Sequence, residues 1–263
     1  MSALVLGGTG AVGHHIVQQL LASDQWSKVI TVGRREVPLP ADQPGASKLQ
    51  QVVVNMDALQ REAADIFSGF AVVVNMDALQ REAAGIVSNV VVNMDALQSE
   101  AAGSFAGVDA VFCALGTTRA DAGSADGFRK VDHDYVAAAA AAAKAAGVPY
   151  FGLVSAQGAA AGVPSSDWRL LHPLLYTRTK GLAEEAVKGQ GFARVGIFRP
   201  GMLDRGDKAR SIEKLFAPLT GAIAVSDVAR VMLADAAAFK AGSVAGVGVF
   251  EMKDMRAAAA AAK

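Results

Sequence analysis

Short apolar runs alternate with amphipathic stretches along most of the chain. Leu4 to Leu6 reads as a strand, and Val12, Ile16 and Leu20 then recur four apart on one helical face. Ser23 and Asp24 interrupt that pattern, and Val29 to Val32 makes a second strand. Residues 36–50, with Pro38, Pro40, Pro44 and Gly45, form a loop. Gly107 to Leu115 is a further strand, followed by a polar loop and a long helix from about Phe128 to Ala146. Gly147-Val148-Pro149 stops that helix, and Tyr150 to Ser155 is again a buried strand. A loop over residues 156–173 leads to a helix around Tyr176 to Val187 and a strand from Ala193 to Phe198. Met202 to Leu219 is less regular. Ser226-Asp227 should cap a helix running to about Ala238, Val247 to Phe250 is a last strand, and the tail from Arg256 reads as frayed helix or disorder. Apolar strands alternating with helices predict an α/β fold, a doubly wound parallel sheet of the Rossmann kind. The expected organisation is one domain over residues 1–263, with residues 202–263 as a small C-terminal substrate-side lobe.

One stretch departs from this rhythm. Val-Val-Val-Asn-Met-Asp-Ala-Leu-Gln occurs at Val52 to Gln60, at Val72 to Gln80 and at Val90 to Gln98, within a tandem segment over residues 52–102. Each copy reads as a strand and a short helix. The motif occurs nowhere else and the flanking segments already supply a complete pattern, so duplication of one β–α unit explains it better than a solenoid. Only one copy can supply the third strand. The third, Val90 to Asn93, is the expected one, because a single short helix joins it to the strand at Gly107, although the first copy joins the second strand about as naturally. The surplus valine triplets are expected to be ordered against the sheet edge.

The chemistry starts in the first turn. Leu4 to Gly13 reads Leu-Val-Leu-Gly-Gly-Thr-Gly-Ala-Val-Gly, with Gly7, Gly10 and Gly13 spaced G-x-x-G-x-x-G between strand and helix. A tight turn, a pyrophosphate against the backbone and a helix lying close on the strand each exclude a β-carbon. The helix N-terminus offers free N–H groups to phosphates. The second strand ends in Gly33-Arg34-Arg35, with no acidic residue before Arg34. An acid there would hold a ribose 2′-hydroxyl, whereas arginine pairs with a 2′-phosphate, so NADPH/NADP is expected over NADH. Farther on, Tyr176-Thr-Arg-Thr-Lys180 places a phenol and an ammonium on one helical face. A neighbouring cation should favour the phenolate, which suits proton transfer to a carbonyl oxygen as hydride arrives.

Composition narrows the partners. The chain has 263 residues, 52% apolar and 19% charged, with a formal net charge of +0, so nothing argues for nucleic acid or an anionic membrane. Cys113 is the one cysteine and falls in an apolar strand, which suits a reducing compartment and a packing role. The first strand leaves no room for a cleavable signal peptide, and the alanine-rich tract Val136 to Ala146 is too short to span a bilayer. The expected location is cytoplasmic, compatible with a nuclear pool, with no integral membrane association. His14, His15, His133 and His172 have no metal-ligand spacing, so no metal site is expected. Trp26 and Trp168 read as packing or loop-cover residues, and the Glu184-Glu185 pair as a solvated helix face.

The glycine loop and the Tyr-x-x-x-Lys pair resemble the short-chain dehydrogenases/reductases of the atypical or extended type. Phe112 to Arg119 (Phe-Cys-Ala-Leu-Gly-Thr-Thr-Arg), Gly127 to Tyr135 and Phe198 to Gly201 (Phe-Arg-Pro-Gly) are similar, more closely, to the oxidoreductase family named for the HIV Tat-interactive protein. The likeness runs from Ala3 to about Val231, the extra repeat copies apart. It implies an NADPH-bound Rossmann core with contacts from Gly7, Gly8, Thr9, Gly10, Ala11, Val12 and Gly13. Gly7, Gly10 and Gly13 would face the pyrophosphate, and Arg34 and Arg35 the 2′-phosphate. Leu115, Gly116 and Thr117 would pass under the nicotinamide ribose, Lys180 would bond that ribose, and Pro200 and Gly201 would meet the carboxamide. Asn93 or Asp95, just after the expected third strand, would meet the adenine. Asp132 stands where the wider superfamily often has a proton-relay asparagine. The implied catalytic set is Tyr176, Lys180, Ser155 and Asp132.

One departure matters. Such families tend to place two hydroxyl residues before the active-site loop, the second polarising the carbonyl; here Ser155 is followed by Ala156. Two expectations follow. One is an NADP-dependent oxidoreductase reducing a small-molecule carbonyl substrate through the Tyr–Lys pair. The other is an NADPH-binding regulatory module that contacts a protein partner with little turnover.

Overall fold

The computed structural model describes residues 1–53, 102–205 and 221–261. β1 (Ser2–Leu6), β2 (Lys28–Gly33), β3 (Leu49–Val53), β4 (Ala110–Cys113), β5 (Tyr150–Val154), β6 (Arg194–Arg199) and β9 (Gly246–Glu251) pair in parallel in the order β3-β2-β1-β4-β5-β6-β9. β1 and β4 are neighbours, Leu6 opposite Cys113, although β2 and β3 intervene in sequence. Strand order reverses there, and such a point opens a crevice beyond the strands' carboxyl ends.

Alternate side chains of a strand face opposite ways, so each central strand feeds two apolar layers. Ala3, Val5 and Phe112 pack with α1 (Ala11–Ala22) and with Val228 and Met232 on one side. Leu4, Leu6 and Val111 face the other side, against an alanine-rich helix whose small side chains let it lie close. Completely burying residues such as Leu4, Ile16 and Leu20 contributes about 1.5–3 kcal/mol each, several times any helix-propensity difference. A buried ion pair also spans the sheet: Arg194 meets Asp235 at 2.5 Å, and the Tyr150 hydroxyl donates to Asp235 at 3.1 Å.

The edge strand is not the expected copy of the repeat. β3 ends in Val52 and Val53 of the first copy. Gln51, which precedes only that copy, explains the choice. Its side-chain oxygen accepts from the Val37 backbone at 2.7 Å and from the Thr31 hydroxyl at 3.3 Å, fixing the strand beside β2. Ala71, at the matching position of the second copy, has no side-chain acceptor, and the amide of Asn89 in the third is one methylene shorter. Val90 to Asn93 and the surplus triplets lie outside the described residues, as do Asn93 and Asp95.

α2 (Ala102–Phe105) leads into β4, and two short helices follow it, α3 (Arg119–Ala122) and α4 (Ala125–Arg129). The long helix expected from Phe128 is interrupted. Lys130–Asp134 forms a π turn between α4 and α5 (Tyr135–Ala145). α6 (His172–Lys188) begins earlier than its pattern suggested, with Pro173 in its first turn. Of residues 202–263, the pair β7 (Leu203–Asp204) and β8 (Ile223–Ala224) stands apart from the main sheet. α7 (Val225–Lys240) packs on α1, and β9 pairs with β6. α7 starts at Val225 behind Ala224, so Ser226 and Asp227 lie inside its first turn instead of capping it. The alanine tail is neither frayed nor disordered through Ala261. It forms α8 (Met252–Ala261), held by buried Met255 and Ala259.

Candidate active site

β1 runs directly into Gly7, whose φ of +76° suits glycine, and a Cβ there would stand 2.5 Å from the Ala114 carbonyl oxygen. The Gly10 amide donates to the Gly7 carbonyl at 2.9 Å, closing the turn. Gly10 then precedes α1 with no side-chain cap, and the first turn of α1 has no acidic residue. Its N–H groups and positive dipole end are therefore left for an anion. Gly7, Thr9, Gly10, Ala11 and Val12 line a cleft of about 660 Å³. Gly8 and Gly13 do not line it. They sit behind the loop, where a Cβ would press on Val37 or overlap the Gly7 carbonyl. Arg34 and Arg35 line the cleft at the end of β2, Leu115 to Thr117 after β4, and Pro200 and Gly201 after β6. A narrow glycine cradle, an open helix end and two arginines fit a nicotinamide dinucleotide.

The other end of the cleft carries Ser155, Asp132, Tyr176 and Lys180. The wide π turn brings Asp132 inward, where it is 1% exposed. One carboxylate oxygen accepts from the Thr117 backbone at 2.8 Å, and the other meets the Lys180 ammonium at 2.8 Å. Burial, the largest single effect, would lower the Lys180 pKa, but the charge and hydrogen bond of Asp132 together with the Tyr176 phenol more than offset it and leave the value raised. Lys180 is a fixed cation. Tyr176 packs against Phe128, ring centroids 5.9 Å apart, and against His172 at 6.5 Å. Its pKa is raised, not lowered as the spacing suggested: burial dominates, and the Asp132 charge works against the help from Lys180. His172 is pushed the other way, by burial and by the Arg119 charge.

Ser155 is buried at 4% exposure, and its hydroxyl donates to Glu184 at 2.5 Å. Glu184 is no solvated residue: it is 1% exposed and held by both arms of Arg199, Nε at 2.8 Å and Nη2 at 2.6 Å. A further Arg199 nitrogen reaches Glu251 at 2.8 Å, so β6, β9 and α6 meet in one network. Burial raises the Glu184 pKa, but hydrogen bonds from Arg199 and Ser155 more than offset it, leaving the value lowered. The clue to Glu184 was its place four residues beyond Lys180, on the stripe that begins at His172 and Tyr176. Arg205 also lines the cleft and carried no signal in its own segment.

Fold and cleft are those of nicotinamide-dinucleotide-binding oxidoreductases. The chain belongs to the NAD(P)H-binding family, whose profile matches residues 70–238. It is similar to Protein HTATIP2 of Rattus norvegicus, 32% identical over 202 residues covering 77% of this chain and 62% of that protein. The chain thus spans less than two thirds of that relative's length. It is also similar to Protein FMP52, mitochondrial, of Lodderomyces elongisporus, 32% identical over 246 residues covering 88% of this chain and 84% of the other. The match to Protein FMP52-1, mitochondrial, of Scheffersomyces stipitis is 35% identical over 203 residues, covering 77% and 67%. Among solved structures, vestitone reductase from alfalfa superposes with a TM-score of 0.57 at 20% identity, covering 95% and 76%. MoeE5 in complex with UDP-glucose and NAD gives 0.57 at 20%, covering 100% and 82%. These two share the fold.

The fungal names overturn the cytoplasmic expectation, since these relatives are mitochondrial proteins. A single buried cysteine has no second cysteine in the chain to pair with, so it says nothing of the compartment. No helix among the described residues is long and apolar enough to cross a membrane.

Proposed function

We propose that the chain is an NADPH-dependent reductase of a carbonyl compound in which Tyr176 donates the proton. One observation carries this reading: Tyr176 and the Asp132-anchored Lys180 line the same cleft as the glycine loop. The loop and the start of α1 would hold the pyrophosphate, Arg34 and Arg35 the 2′-phosphate, and Lys180 with Pro200 and Gly201 the nicotinamide end. The bound cofactor supplies hydride. A raised pKa keeps the Tyr176 phenol protonated at neutral pH, which is the state a proton donor needs. Asp132 holds Lys180 charged, and that charge stabilises the phenolate left after transfer. Phe128 and His172 fix the ring's direction.

NADPH oxidation across a panel of aldehydes, ketones and quinones tests this. Tyr176→Phe should abolish turnover while NADPH affinity stays near wild type, and full activity in that protein would remove Tyr176 from the mechanism. Arg34→Ala/Arg35→Ala should weaken NADPH much more than NADH, by about 2–4 kcal/mol for two charge-assisted contacts. Equal losses for the two cofactors would refute the 2′-phosphate assignment. A second reading, an NADPH-binding regulatory protein with a protein partner and little turnover, draws on Ser155: its proton is spent on Glu184 instead of a substrate carbonyl. NADPH binding with no oxidation across the panel favours that reading.

A further inference from the structure

Ser155 carries one hydroxyl hydrogen, and the buried surroundings decide where it points. Glu184 is enclosed by donors, Ser155 on one side and two Arg199 nitrogens on the other, with Lys188 at 3.5 Å. Such a carboxylate is ionised and can only accept, so the hydrogen in the 2.5 Å contact belongs to Ser155. A hydrogen bond to a buried anion is roughly twice as strong as one between neutral groups, so a neutral carbonyl does not win the proton back. The remaining Ser155 lone pairs are left for the cleft that Ser155 shares with Tyr176.

We propose that Ser155 is a hydrogen-bond acceptor toward the substrate, fixed in that sense by Glu184, and that the site selects carbonyl compounds bearing a hydroxyl next to the carbonyl. Tyr176 is then the proton donor to the reacting oxygen, and Glu184 is a positioning residue. The inference rests on the reductase reading for its substrate class.

Acetophenone and α-hydroxyacetophenone differ by the one donor in question. Calorimetric titration of the NADP-loaded protein should show the hydroxyketone binding about tenfold more tightly, the worth of one hydrogen bond. Ser155→Ala should erase that preference by weakening the hydroxyketone, leaving the two ketones with equal affinity. Glu184→Asp keeps the charge beside Arg199 but draws it back from Ser155, and should also erase the preference with NADPH affinity intact. Equal binding of the two ketones by wild type, or no binding of either, overturns the proposal. So does a Ser155→Ala protein that still binds the hydroxyketone more tightly than acetophenone. NADPH oxidation by wild type is scored separately. Its absence, with hydroxyl-dependent binding retained, sinks the reductase reading and leaves the Ser155 assignment standing.

Discussion

Asp132 decides the electrostatics of the site more than the tyrosine–lysine spacing does. With its carboxylate at 2.8 Å, Lys180 is a paired ion, and its pull on the phenol beside it is opposed by burial and by the Asp132 charge. Removing one partner of a buried pair strands the other without solvent, which costs about 3–5 kcal/mol. Asp132→Ala should therefore lose stability of that order in urea unfolding, and an unchanged midpoint would show the pair to be idle. The raised Tyr176 pKa fixes the sign of the pH dependence. The donor is the protonated phenol, so reductase kcat/KM should stay level through about pH 9 and fall only above the ordinary tyrosine range near 10. Lys180 stays charged across that window, and His172, held neutral by burial and Arg119, adds no alkaline limb. A loss of activity centred on neutrality would assign the proton to another group.

α6 shows what a linear pattern reveals and what it hides. The four-residue spacing identified Tyr176 and Lys180 as neighbours, because that depends on helix geometry alone. It placed Glu184 on the same stripe but could not say what the stripe faces. Arg199 arrives from β6 and Ser155 from β5, and those contacts exist only once the sheet is paired. The alternation of strand and helix and the glycine turn were legible for the same local reason: apolar runs and small residues act within a few positions. β3 was misassigned because three near-identical valine runs look alike until the side chain of Gln51 is given partners. Gly181 lies on this helix too. A Cβ there would overlap the Ala160 and Ala161 backbone, whose loop is tied to α6 by the Ala160 amide at 3.1 Å from the Thr177 carbonyl. Gly181→Ala should cost about 1–3 kcal/mol by thermal unfolding, the usual range for overpacking, and a stability equal to wild type would mean the loop gives way freely.

At the scale of the whole molecule, β3 from the first repeat copy completes one edge of the sheet, and β9 completes the other, with α7 and α8 layered on the same side as α1. The seven strands of this sheet, among the described residues, include Val52 and Val53 of the first copy. Deleting Ala71 to Val90 should leave NADPH affinity and cooperative unfolding unchanged, and a folded deletion protein that no longer binds NADPH would contradict this. The superposition on vestitone reductase fits this open parallel sheet of alternating strands and helices. Length is tolerated very unevenly along this chain. Its sequence carries two additional copies of a nine-residue motif, yet the single extra residue per turn in Lys130–Asp134 holds Asp132 against Lys180. Loss of one codon there would let the turn relax to an ordinary helix and swing every preceding side chain by about 100°, one α-helical residue step. An in-frame change too small to disturb the fold would then silence the site, whereas one of twenty codons next door would pass unnoticed.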